Sequence, residues 1–403
     1  MPMKLHYNYK DVFRAARLGF SAKKIWVQFL GLLIGTAVYS IFTYLGLILS
    51  GYTIKEVWTK FHYIPIPFEE SFTVYGWIFL GIGLFLFVVI NLIFGVAVSK
   101  ITYEQLKGDD FYEVKKALSF AFKEGRAVYL APIVLIILVA IILLGGVIIG
   151  LLGKIPWFGE LVLLLLSIPS LFACAFIVYL FFAFVVAMYL SAAIVATTAS
   201  DTFDTLFEVF STLNDQNWRF IGYEALLYGV KFIAFSIFAW AIGRTLWIIH
   251  TVLGASWLMG AKYQAIEKGA LHYFTYSSSF YFLDPYLSFL KLSAILEVPP
   301  DMPTMPLPSA ILAFIFGILF YFVVFTVLSF WGAMHWAGNT LIFVTLEKKK
   351  DDIDLLEITE EEELTGGGVT APTEQIEEEK AAGEETKGDV EGEREEGEKE
   401  GEG

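Results

Sequence analysis

The chain has 403 residues, 57% hydrophobic and only 17% charged, with 38 Phe and 10 Trp. That composition argues against a soluble enzyme, a nucleic-acid binder and a disulfide-stapled secreted domain, and for an integral membrane protein. The net charge of -14 is unevenly spread: residues 347–403 hold 23 acidic and 7 basic groups (net -16), whereas residues 1–346 hold 19 and 21 (net +2).

A helix needs about 20 apolar residues to cross a bilayer. Six stretches qualify: 25–50, 75–99, 127–152, 160–197, 218–243 and 309–330. Backbone polar groups cannot stay unpaired in hydrocarbon, so these are expected to be helices. The first is too long for a cleavable signal and reads as an anchor. The fourth contains Pro169, which predicts a kink, a tilt or an interfacial start. The single cysteine, Cys174, is expected to be a buried small hydrophobe.

Lys and Arg of short loops set orientation. Lys4, Lys10, Arg14, Arg17, Lys23 and Lys24 precede the first span, and Lys100, Lys107, Lys115, Lys116, Lys123 and Arg126 separate the second from the third. Lys348, Lys349 and Lys350 follow the sixth. The other side has only Lys55, Lys60 and Lys154 in its first two loops. The expectation is a multi-pass protein of a prokaryotic plasma membrane with both termini cytoplasmic. The 191–217 loop, with no Lys or Arg, is placed by the count of spans alone.

Three ungapped segments align: DVFRAARLGFSAKKIWVQFLG from Asp11, YEVKKALSFAFKEGRAVYLAP from Tyr112 and TLFEVFSTLNDQNWRFIGYEA from Thr205. Each has a stretch of mixed polarity and then enters a span. The reading is an all-α membrane protein of three hairpin repeats, near 11–100, 111–200 and 204–346, each opened by an amphipathic helix on the cytoplasmic surface. In the first, Val12, Phe13, Ala16 and Phe20 would form the apolar stripe, and Arg14, Arg17, Lys23 and Lys24 would meet lipid phosphates. Asp11 reads as an N-cap; Asp110 with Glu113 and Thr205 with Glu208 have capping-box spacing. Gly31–Gly35 and Gly146–Gly150 have the spacing of close helix approach.

The stretch from Ala193 to Phe220, AIVATTASDTFDTLFEVFSTLNDQNWRF, ends a small-residue helix, passes a short helix and opens the next span on the aromatic–Arg pair Trp218–Arg219. It resembles the polytopic membrane domain of bacterial glycerophosphodiester phosphodiesterases and of related prokaryotic families, over about a quarter of the chain. The resemblance implies a membrane domain. That family's catalytic barrel has no counterpart here, so no catalytic residue is carried over.

The long external section 245–308 is dense in aromatics over 272–289, which suits an interfacial belt or a partner-binding surface. Residues 246–259 read as interfacial, re-entrant or an extension of the fifth helix, and Pro299, Pro300, Pro303, Pro306 and Pro308 as an extended approach to the sixth. The tail 347–403 has too few large apolar residues for a core and is expected to be disordered, either solvating or docking a protein partner.

Ionisable groups inside spans are candidate functional residues. Glu224, Tyr228 and Lys231 share one helix face by their spacing, with Lys231 near mid-span. Arg244 lies at the outer end of the same helix, Asn91 is inside the second span, and His335 and Asn339 are near the inner end of the sixth. This set would serve a solute or proton pathway, or would tie helices together. If the fifth span instead begins near Phe232, Arg244 becomes central and Lys231 snorkels to the interface. No metalloprotease, nucleotide-binding, serine-hydrolase or Cys/His metal motif is present. No catalytic residue, cofactor or metal is therefore expected. The function read from the sequence is a non-enzymatic membrane scaffold or assembly protein, with a solute or lipid permease as the alternative.

Overall fold

A computed structural model describes residues 3–67, 70–273 and 302–357. All regular structure in these residues is helical. In chain order the helices are α1 (Tyr9–Val12), α2 (Ala15–Gly19), α3 (Ala22–Leu49), α4 (Ile54–Phe61), α5 (Val74–Lys107), α6 (Val114–Glu124), α7 (Ala127–Leu152), α8 (Phe158–Thr198), α9 (Thr202–Asp215), α10 (Asn217–Leu253), α11 (Ala261–His272) and α12 (Leu307–Lys350). Six helical segments are long and apolar enough to cross a membrane: α3, α5, the stretch Val114–Leu152 that ends in α7, α8, α10 and α12. These are the six expected spans, and the chain is a multi-pass membrane protein by that measure.

Hydrocarbon thickness does not explain their lengths. At 1.5 Å per residue, the 34, 41 and 44 residues of α5, α8 and α12 measure about 51, 62 and 66 Å, against about 30 Å of hydrocarbon. The surplus turns build a second tier. Residues 94–104 of α5, 190–197 of α8 and 336–347 of α12 are buried without a break. A helix buried on every face is the interior of a cluster. α1, α2, α6 and α9 surround this basal core. α2 packs on α12, α6 on α5 and α9 on α8, while α5, α8 and α12 pack on one another. Small residues permit the close approach: Gly95 and Ala97 on α5, Ala187 and Ala193 on α8, Ala337 and Gly338 on α12.

The outer halves of the spans are different. On α8 Leu164 and Leu165 are 75% and 74% exposed, as suits side chains that face lipid. Cys174 is exposed on this half, not buried. α8 runs unbroken through Pro169. Gly31 and Gly35 of α3 lie against Phe94, Phe87 and Asn91 of α5, as their spacing predicts, but Gly146 and Gly150 touch nothing.

Several local expectations fail because tertiary contacts outrank spacing. The N-terminal segment breaks at Phe13 into two short helices, and Val12, Ala15 and Leu18 are buried while Phe13 and Phe20 are exposed. Asp11 is buried and accepts from His6 N at 2.7 Å; the α1 cap is Asn8. Glu113 precedes α6 without a side-chain cap bond, and Asp201 rather than Thr205 caps α9. The capping box that does form joins Thr53 and Glu56 at α4.

The start and end of the described chain meet at the base. Met3 N donates to Leu106 O at 2.8 Å, Tyr7 Oη to Asp354 at 2.7 Å and Tyr103 Oη to Leu355 O at 2.5 Å. Packing therefore continues past Leu346 as far as Leu356, which is buried. The rest of the acidic tail, 358–403, lies outside the described residues, as does 274–301 with most of the aromatic section. Of the section 245–308, α10 takes the residues up to Leu253, α11 packs against α12, and Pro308 sits in the first turn of α12.

Candidate functional site

α10 carries three of the five candidate residues on one face, and it runs antiparallel to α12. Leu227 covers Gly338, Lys231 reaches His335, and Phe238 packs on Phe330 with ring centroids 4.8 Å apart. The helix is continuous across both alternative registers of the fifth span. Lys231 stays deep in the bundle, 3% exposed, and does not snorkel.

The partner of Lys231 is a histidine, not Glu224. Lys231 Nζ lies 3.1 Å from His335 Nδ1 and 5.3 Å above the Trp331 ring. Asn339, one turn further along α12, brings Nδ2 to 3.1 Å from the same nitrogen. The same Nδ2 lies 3.4 Å from His335 Nε2, so the amide faces the edge of the ring. Tyr189 of α8 stands edge-on to the imidazole at 5.2 Å, and Trp336 covers it at 4.6 Å. The seam of α8, α10 and α12 is thereby tied by one polar cluster in an apolar wall.

Glu224 sits on the same α10 face, nearer the base. Among the described residues it forms no ion pair with Lys231, and its Oε1 is buried without a hydrogen-bond partner, as is Asn339 Oδ1. Tyr228 is exposed and stands edge-on to Trp331, ring centroids 5.6 Å apart. The other two candidates are elsewhere. Arg244 lies between Trp240 and Trp247, at 5.7 and 5.8 Å, toward the outer end of α10. Asn91 belongs to the α3–α5 seam, where it accepts from Gln28 Nε2 at 3.2 Å and donates to Phe87 O at 2.8 Å. The structure thus joins Lys231 to His335 and Asn339, which the sequence marks only as nearby polar residues. Tyr189 and Trp331 carry no sequence signal, because nothing separates them from other membrane aromatics.

A second polar cluster closes the base. Lys350 Nζ lies 2.7 Å from Glu208, 3.2 Å from Glu347 and 3.1 Å from Asp351. The three carboxylates come within 4.8 Å of one another, a spacing a metal ion could bridge, but the ammonium already stands between them. Its role is to clamp α9 to the end of α12. Lys350→Met is expected to lower the unfolding free energy by about 2 kcal/mol, because three mutually repelling carboxylates lose their cation. Added calcium is expected to return part of that loss, since oxygen ligands then face an empty centre. Thermal unfolding in detergent, with and without calcium, checks both.

At the distal end, His62, Tyr63, His272 and Tyr273 join α4 to α11 and α12. The two imidazole centroids are 5.1 Å apart, and Tyr63 Oη donates to Phe314 O at 2.8 Å. Burial, and then the neighbouring His272, push the His62 imidazole below its ordinary range, so it is neutral at neutral pH. Burial also raises the Tyr63 hydroxyl. These four rings close the end of the bundle opposite the basal core.

Comparison of the chain with protein families, with curated proteins and with solved structures returns no match.

Proposed function

We propose that the chain is a non-enzymatic scaffold or assembly protein of a prokaryotic plasma membrane, with both termini cytoplasmic and a protein partner bound at the basal face. One observation carries this reading: the long helices continue out of the spans into a buried core. A protein that only conducts a solute has no need of such a tier, whereas one that holds a partner against the membrane gains a rigid platform from it. The charge pattern supports the orientation, since the basic segments flank the basal helices. Three repeats fit the packing as well. Each short basal helix (α2, α6, α9) lies on the second helix of the preceding hairpin (α12, α5, α8), so the pattern closes on itself. The buried stripes of α6 (Ala117, Ala121) and α9 (Leu206, Val209) suit amphipathic helices. The resemblance to the membrane domain of glycerophosphodiester phosphodiesterases agrees with such a non-catalytic role.

The test is co-purification in mild detergent with and without residues 358–403. Their 18 acidic and 4 basic groups make them a docking arm for a basic partner. The full chain is expected to retain one partner at constant stoichiometry, and the truncated chain to lose it at moderate salt. A monodisperse protein without a partner in both forms would overturn the proposal.

The permease alternative rests on Glu224, whose buried oxygen has no partner, and on Lys231. Proteoliposome flux that disappears in Lys231→Met while the fold persists would favour it.

A further inference from the structure

The basal helices α6 and α9 show solvent opposite charges. α6, VKKALSFAFKE, turns Lys115, Lys116 and Lys123 outward together with Phe122, which is 65% exposed. α9, TFDTLFEVFSTLND, has no Lys or Arg and turns Asp204 and Asp215 outward together with Phe203 and Phe207, 64% and 70% exposed. An anionic membrane surface attracts the first face and repels the second. Lipid headgroups therefore do not account for α9. Exposed aromatic rings rimmed by charge have the make-up of a protein interface.

The complement to α9 is present on the same chain. Around each helix the exposed side chains fall in two rows. On α9, the Asp204–Asp215 row stands about 90° round the axis from the Phe203–Phe207 row; on α6, the Lys116–Lys123 row stands about 110° from Phe122, in the same sense. Two such faces match when the helices run antiparallel. Phe122 then meets the two phenylalanines, Lys123 meets Asp204 and Lys116 meets Asp215. A parallel pair would set each charged row against rings. Along the axes the aspartates are about 16 Å apart and the lysines about 10 Å, so each lysine reaches outward by about 3 Å, well within its flexible stem. Lys115, beside Phe122, faces the phenylalanine row, where a cation is also attracted. Lys123 has only an exposed neighbour to give up, Glu124 at 3.2 Å. Copies inserted in one membrane share an orientation, and α6 and α9 both belong to the basal tier, so the two faces meet at one height.

We propose that α9 of one copy docks antiparallel on α6 of a second copy, through Asp204 and Asp215 on Lys123 and Lys116 with the phenylalanines between them. The contact joins unlike faces, so it is heterologous. It stands independently of the partner assigned to the acidic tail, and its test is made on the chain alone.

The full chain carrying Cys174→Ser is studied in mild detergent and in phosphatidylcholine vesicles, with mass measured by light scattering. Lys123→Cys protein mixed with Asp204→Cys protein is expected to form a covalent dimer with a short bismaleimide, and neither protein alone is. Lys116→Glu with Lys123→Glu is expected to lower the associated fraction about tenfold, and Asp204→Lys with Asp215→Lys likewise, since like charges then oppose each other. All four changes in one chain are expected to restore association, a recovery that misfolding cannot imitate. High salt is expected to weaken the wild-type contact, because the paired groups are exposed. A single-chain mass at every concentration, cross-linking of either cysteine protein alone as strong as in the mixture, or association that survives both reversals would each overturn the proposal. So would a single-chain mass accompanied by bound phosphatidylglycerol that Lys116→Glu with Lys123→Glu releases, which would assign the α6 face to lipid.

Discussion

Gly95→Val is expected to destabilise the fold by about 3 kcal/mol, at the upper end of what overpacking costs. A Cβ built on Gly95 would stand 2.5 Å from Trp336 Cε2 and 2.8 Å from Cδ2 and Cζ2. Those atoms belong to a rigid, buried indole on α12, not to the end of a flexible chain. The ring cannot retreat easily, because the His335 imidazole packs against it at 4.6 Å. Helix propensity pulls the other way: glycine to alanine in a helix gains about 1 kcal/mol. Gly95→Ala is therefore expected to cost less than valine but still to destabilise. Gly145 of α7 supplies the control, since a Cβ there meets nothing within 4 Å. Gly145→Ala is expected to be neutral or stabilising by up to about 1 kcal/mol. Coupling identifies the contact as well. Trp336→Phe combined with Gly95→Ala is expected to cost less than the sum of the two single changes. Reversible unfolding in mixed micelles measures all five variants, Trp336→Phe alone included.

The contrast between these glycines shows how far the sequence is legible. Hydropathy reveals the spans because lipid imposes one condition on every residue of the segment. It does not reveal that α5 and α12 continue for several turns into the base; α8 ends within a residue of the expected 197, and there the sequence shows the extra length but not what covers it. Residues 94–107, FGVAVSKITYEQLK, mix Lys100 and Glu104 with apolar groups and read as a helix end. In the fold these two make an ion pair of 3.0 Å, and Lys100 stands over Phe120 of α6 at 5.0 Å. The ion pair is local, at i and i+4 of one helix, but the packing of Lys100 on Phe120 and the burial of both charges are long-range information. The same holds for capping: Asp11, Glu113 and Thr205 have suitable spacing, but neighbours distant in sequence determine which residue bonds which amide. Gly31–Gly35 and Gly146–Gly150 are alike as motifs, yet only the first has a helix across from it.

The candidate site divides along the same line. Lys231 is visible as an amine in an apolar run, and the shared face with Glu224 and Tyr228 follows from helical geometry. Its acceptor is 104 residues away, and no local pattern connects them. Arg244 and Asn91 are polar for local reasons, one between two tryptophans and one bonded to Gln28. Ionisable character alone therefore identifies residues that need a partner, and only the crossing of α10 with α12 identifies the partner.

His335→Leu and Lys231→Met are expected to differ sharply, although they break the same contact. Leucine at 335 leaves the Lys231 amino group buried in an apolar seam without its acceptor. Removing one member of a buried polar pair costs about 3 kcal/mol or more when the survivor carries charge. Methionine at 231 removes the demanding member instead. Its unbranched chain follows much of the lysine's path, keeps contact with Trp331, and leaves His335 bonded to Asn339 at 3.1 Å. Replacing a buried polar group by an apolar one of similar shape is often neutral, so Lys231→Met is expected to change stability by less than about 1 kcal/mol. The double variant is expected to recover most of the loss seen in His335→Leu, because no amine remains to be satisfied. Unfolding titrations of the three variants decide this, and the same proteins separate the two functional readings. A scaffold whose cluster only ties α10 to α12 retains its partner in Lys231→Met and in the double variant, and weakens in His335→Leu in proportion to lost stability. A permease that uses the amine loses flux in Lys231→Met while its stability is untouched. Equal destabilisation by all three changes would show instead that the Lys231–His335 bond itself, rather than the desolvated amine, dominates the energetics of the seam.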